Sequence, residues 1–154
     1  MRVPFLNLKE LHGAYKNELM DQISSVLDGG NYILGEAVTK FESNWSEYTG
    51  AKYCVGVGSG LDALPLSLKA LDIGYMDEVI VPAHTFIATW LAVSLVGATP
   101  VAVDVDSESK NICLESILKH ITPSTKAIII VHLYGQPAQI DEINKFAKAN
   151  NIRV

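Results

Sequence analysis

The sequence predicts an α/β protein of three layers, αβα, with a mostly parallel sheet between helices. Two observations carry that prediction. From about residue 51 onward, short apolar runs of strand length alternate with segments of helical periodicity. A βαβα alternation of this kind needs crossover helices, which cover both faces of a parallel sheet. The second observation is a glycine-rich turn, Gly58-Ser59-Gly60, between an apolar run and a segment with leucines at 61, 64, 68 and 71. A turn of that composition joins a buried strand to a helix start.

The elements follow in order. Leu11, Tyr15, Leu19, Ile23 and Val26-Leu27 recur at helical spacing, and Asp28-Gly29-Gly30 stops the run. A second helix is expected over Glu36 to Tyr48, with Val38, Phe41 and Trp45 on its inner face, ended by Thr49-Gly50. Strands are expected at Tyr53–Val57, Glu78–Val81, Thr99–Val103 and Lys126–Val131. The helices between and after them should cover Leu61–Leu71, Ile87–Val96, Leu114–His120 and Ile140–Asn150. The division is therefore a helical segment over 1–50 and a βαβα half-sheet over 51–154. Asn150-Asn151-Ile152-Arg153-Val154 reads as a helix stop and the first residues of another buried strand. The expectation is a piece of a longer protein, because a truncated strand leaves core positions uncovered.

Composition narrows the function. The 154 residues are 49% hydrophobic and 19% charged, enough apolar content to bury a core. Net charge is −5 and the basic residues are scattered, which argues against a nucleic-acid groove. No apolar run reaches the roughly 18 residues that would span a bilayer. Cys54 and Cys113 have no metal-ligand partners at standard spacing. They read as small, partly buried residues of a reducing cytoplasm, and no metal site is expected.

Chemistry should gather at the carboxyl ends of the strands, where open α/β sheets bind ligands. Four unusual stretches fall there: Gly58-Ser59-Gly60, Pro82-Ala83-His84-Thr85-Phe86, Asp104-Val105-Asp106 and His132-Leu133-Tyr134-Gly135. The first presents free backbone N–H groups at a helix N-terminus, a natural seat for a phosphate. The Ser59 hydroxyl offers one more donor. Asp106 with Ser107 reads as a turn rather than a metal site. Trp45 and Trp90 read as packing residues. A Rossmann-type dinucleotide module would need Gly-x-Gly-x-x-Gly, and position 61 is Leu and 63 is Ala.

Longer motifs carry a resemblance. Val3-Pro4-Phe5-Leu6, Gly35-Glu36-Ala37-Val38, Phe41-Glu42 and Val57-Gly58-Ser59-Gly60-Leu61-Asp62-Ala63-Leu64 come first. Asp77 to Thr89 and Val131-His132-Leu133-Tyr134-Gly135-Gln136-Pro137 follow. In this order and spacing the chain resembles the DegT/StrS-type sugar aminotransferases, which use pyridoxal 5'-phosphate (PLP) on the fold-type I scaffold. The resemblance implies the N-terminal part of that large domain. It implies that Ser59, Gly60 and Leu61 hold the cofactor phosphate and that Phe86 stacks on the pyridine ring. The family's Schiff-base lysine and its pyridine-nitrogen aspartate fall after the matched region, beyond Val154. No residue of this chain is therefore nominated as catalytic, and the 154 residues alone are expected to be inactive.

The implied reaction moves an amino group from an amino acid, usually glutamate, to a nucleotide-linked keto-sugar. The finer expectation is C3 amination of a dTDP-linked 3-keto-6-deoxyhexose by a cytoplasmic homodimer. The alternative is a non-catalytic regulator of the same fold that binds PLP or a sugar nucleotide. Two departures from the family pattern stand out: Met76 where a glycine is usual, and Pro65 early in a helix.

Overall fold

The computed structural model describes residues 3–154; Met1 and Arg2 lie outside the described residues. The chain divides into two compact units, Met1–Gly56 and Val57–Val154.

Three helices make up the first unit: α1 (Leu8–Gly13), α2 (Lys16–Gly29) and α3 (Glu36–Thr49). The one helix expected between Leu11 and Leu27 is two, broken at Ala14-Tyr15. Local signals set the ends. The Asn7 side chain accepts the Glu10 amide at the start of α1. Gly30 and Gly50 close α2 and α3 in the left-handed conformation, φ 67° and 70°. The Glu42 carboxylate accepts the Gly56 amide at 2.6 Å. Among the described residues of this unit only Gly35 is buried. Phe41 and Trp45 stack on each other with ring centroids 5.9 Å apart, and Trp45 is 50% exposed. The inner-face role expected for Trp45 is thus corrected: its aromatic neighbours along α3 contact it, but no core covers it.

The second unit carries the sheet. Its elements are α4 (Gly60–Ala70), β1 (Glu78–Pro82), α5 (Ala88–Leu95), β2 (Thr99–Val103), α6 (Leu114–Leu118), β3 (Thr125–Ile128) and α7 (Ile140–Ala149). The three strands are parallel in the order β2-β1-β3. Side-chain alternation along β1 splits the core in two. Val79 and Val81 pack with Leu68, Ile73 and Val93 on one face. Ile80 packs with Val103, Ile112, Ile117, Ile128 and Ile143 on the other. With α4 and α5 on one face and α6 and α7 on the other, the three layers are as the sequence predicts. Trp90 packs partly buried against the first of these clusters.

Two details differ from expectation. No strand forms at Tyr53–Val57. Among the described residues that segment has no ladder partner, and a lone extended segment gains no ladder hydrogen bonds. β3 ends at Ile128, with a register shift where Lys126 is passed over between Thr125 and Ala127. The Ile129 amide still bonds the Ile80 carbonyl at 2.9 Å, so pairing runs one residue further. At the chain's last residues Arg153 lies parallel to β3, accepting from the Ile128 amide at 2.8 Å and donating to the Lys126 carbonyl at 2.9 Å.

Both departures from the family pattern have structural counterparts. Met76 adopts φ 73°, the left-handed region in which an L side chain costs about 1 kcal/mol. Pro65 lies inside α4, past its first turn, where it has no N–H for the Leu61 carbonyl. Among the described residues no helix is long and apolar enough to cross a membrane.

Candidate functional site

Three of the four stretches singled out by the sequence leave the sheet at its carboxyl edge. Because β2, β1 and β3 are parallel neighbours, the segments leaving them share one edge: Asp104 after β2, Ala83 to Phe86 after β1, and Ile129 to His132 after β3. The Ala83 amide bonds the Val103 carbonyl at 2.8 Å, which ties the first two together. The N-terminal half of α4 reaches the same level. Leu64 lines a cavity of about 400 Å³ together with Ile130 and His132.

At the start of α4 the geometry is that of an anion cradle with one change. Ser59 is the N-cap, with extended backbone, and its Oγ accepts the Asp62 amide at 3.1 Å. Its hydroxyl also donates to Asp62 Oδ2 at 2.7 Å. The hydroxyl offered by the sequence as an extra donor is therefore engaged with its own helix. Sequence held a signal for this, since serine followed three residues later by an acid is a capping-box pattern. The amides of Gly60 and Leu61 find no acceptor among the described residues. Nothing lies within 4 Å of where a Gly60 side chain would begin, so the approach to those amides is open. A Cβ at Gly58 would sit 3.0 Å from Asp62 Oδ2, so glycine there gives the capping carboxylate its place. Two free amides, an open approach and the positive end of a helix suit a phosphate group.

Phe86 stands between β1 and α5 and is 76% exposed. An aromatic this exposed at the carboxyl edge of a parallel sheet is available as a flat surface for a ring. The residue ahead of it is fixed: Thr85 Oγ1 and Thr89 Oγ1 share a hydrogen bond of 2.9 Å. His84 is exposed beside it.

His132 is held by its own loop. Its Nδ1 accepts the Ala138 amide at 3.0 Å, which leaves Nε2 as the protonated nitrogen of a neutral ring. Asn111, only 2% exposed, was not singled out by sequence. Its Oδ1 accepts the Leu133 amide at 3.0 Å and its Nδ2 donates to the Gln136 carbonyl at 2.9 Å. These bonds brace a tight 3-10 turn, Leu133–Gly135, in which Tyr134 has φ 52° and is 96% exposed. A single asparagine in a loop gives no sequence signal for such a role; both partners lie more than twenty positions away.

Asp106 is a turn residue, as its sequence context suggests. Its Oδ1 accepts the Ser109 amide at 2.7 Å and the Glu108 amide at 3.1 Å. Hydrogen bonds from the Ser109 amide first, then the Ser109 hydroxyl, hold its carboxyl below the usual range. Asp104 Oδ1 accepts the Val105 amide at 2.9 Å. Cys54 and Cys113 are half-buried free thiols.

The fold and edge define an α/β protein with a phosphate-type cradle and an exposed aromatic surface. The DegT/DnrJ/EryC1/StrS aminotransferase family model matches residues 14–154, and the chain belongs to that family. It is 49% identical, over 99% of its length and 42% of the relative's, to a dTDP-3-amino-3,6-dideoxy-alpha-D-galactopyranose transaminase of Aneurinibacillus thermoaerophilus. Among solved structures it superposes with a TM-score of 0.95 on DesV of S. venezuelae, in complex with a ketimine intermediate. That pair is 45% identical over 98% of this chain and 41% of DesV. It also superposes with a TM-score of 0.92 on NtdA of Bacillus subtilis, which has its cofactor PMP bound. Here identity is 34% over 98% of this chain and 35% of NtdA. The chain spans well under half the length of these relatives.

Proposed function

We propose that these residues form the phosphate-holding and ring-holding half of a PLP site in a nucleotide-sugar aminotransferase. The observations that carry the reading are the pair of free amides at Gly60 and Leu61, with open space before them, and the exposed ring of Phe86 after β1. Relatives named as dTDP-sugar transaminases and a solved relative with bound PMP support it. PLP, when bound, supplies the electron sink and the carrier for an amino group.

The chain's own residues do three things in this reading. The Gly60 and Leu61 amides and the α4 dipole bind the phosphate, and Ser59, as N-cap, keeps those amides aimed outward. Phe86 covers one face of the ring and excludes water from it. Such fixed placement turns an encounter between groups into a reaction at a defined distance. The overall reaction takes an amino group from an amino acid, with glutamate as the proposed donor, to the C3 ketone of a dTDP-linked 6-deoxyhexose. Part of the same proposal is a cytoplasmic homodimer whose catalytic lysine and pyridine-nitrogen aspartate come from outside these 154 residues. Its support is the family and the share of the relatives' length that the chain spans.

The test is an absorbance titration of the chain with PLP. Saturable binding, competed by inorganic phosphate, is expected. Phe86→Ala should weaken it about tenfold, the worth of one aromatic stack. No saturable binding, or binding indifferent to phosphate, overturns the reading.

A further inference from the structure

We infer that Thr89 is a positioning residue for Phe86, acting through the hydroxyl it shares with Thr85; this rests on Phe86 being the ring-covering residue proposed above. Thr89 is 5% exposed, a buried polar side chain like Asn111 and Thr125. Its hydroxyl and that of Thr85 are 2.9 Å apart. Its amide donates to the Phe86 carbonyl at 3.1 Å. Thr89 therefore holds the residue before the aromatic through its side chain and the aromatic residue itself through its backbone.

The start of α5 explains the need. Its N-cap is Ile87, which makes no side-chain capping bond. A helix start with no capping side chain leaves orphan amides and frays easily. Here backbone bonds close the first turn instead, from the Thr89 amide to the Phe86 carbonyl and from the Trp90 and Leu91 amides to the Ile87 carbonyl. Among the described residues the exposed ring stacks on no other ring. The Thr85–Thr89 bond fastens the loop from the buried side, and one hydroxyl donates while the other accepts. Val in place of Thr89 keeps the shape and β-branching and removes only the oxygen; Ser keeps the oxygen.

Two measurements on the full 154-residue chain decide the matter: amide hydrogen exchange without cofactor, and PLP affinity by absorbance. For Thr89→Val, exchange at the Trp90 and Leu91 amides, which bond the Ile87 carbonyl, should rise while Ile80 and Val81 in β1 stay protected. Its PLP dissociation constant should rise about tenfold, the scale of one lost hydrogen bond. Thr89→Ser should stay within about twofold of the unmodified chain in both. Equal PLP affinity in Thr89→Val and the unmodified chain overturns the inference and leaves the site reading intact. So does exchange that rises equally at Ile80, which marks a purely structural role. Absence of PLP binding by the unmodified chain overturns the site reading, and the positioning of Phe86 for a cofactor falls with it.

Discussion

The two units of this chain are built from the same kind of helix and end in different states. In Met1–Gly56 the helices α2 and α3 are amphipathic and closed at their C-termini by left-handed glycines, yet Leu19, Ile23, Leu27, Phe41 and Trp45 are exposed. In Val57–Val154 helices of similar or shorter length bury Leu68, Val93, Ile117 and Ile143 against a sheet. Capping and periodicity make a helix; burial needs a second surface. The site follows the same division. Its placed residues, Ser59 to Leu61, Phe86 and His132, all lie in the unit that has the sheet.

Substitutions sharpen this contrast. Ile80→Ala removes a fully buried side chain from the central strand and should cost about 3–4 kcal/mol in urea unfolding. Ile23→Ala, on exposed α2, should cost under about 1 kcal/mol. Similar losses for the two would break the comparison. Next in size, Asn111→Ala leaves the Leu133 amide and the Gln136 carbonyl without partners. A loss of about 2 kcal/mol is expected, with faster exchange at the Leu133 amide than at Ile80.

Gly50→Ala tests the helical unit on its own terms. It forces a side chain into φ 70° and should cost about 1 kcal/mol, read as lost helical circular dichroism. Met76→Gly works in the opposite direction. Relief of the left-handed strain outweighs the added freedom of the unfolded chain, for a gain of about 0.5 kcal/mol in the urea midpoint analysis.

The smallest effect is a pH dependence. The Asp106 carboxyl titrates lower when folded than its ordinary value of 3.8. Its contribution is therefore present above pH 3.8 and is lost as pH falls through the folded value. Asp106→Asn should flatten that acid limb of the stability profile. An unchanged limb would show that the turn's hydrogen bonds do not favour the charged form.

Much of the molecule was legible. β2 begins and ends where expected, and β1, α4, α5 and α7 do so within a residue at each end. The turn at Gly58-Ser59-Gly60 was readable because a helix start and a glycine are local facts. The left-handed Met76 was foreseeable from the residue type that usually fills such a turn. Asn111 and Thr89 were not legible, because their importance is made by partners and burial. The missing strand at Tyr53–Val57 is the same lesson reversed, since its apolar alternation is real and its ladder partner is absent.

Sequence by itself determined where the backbone turns, caps and alternates, because those choices are set by neighbouring dihedrals and hydrophobic period. Tertiary structure alone decided which apolar faces are covered and where β3 slips past Lys126. It also decided that the Ser59 hydroxyl is engaged with Asp62 and which buried side chains brace the rim. The reason is physical. A hydrogen bond or a buried face is a relation between two places in the chain, and its energy exists only once both are brought together.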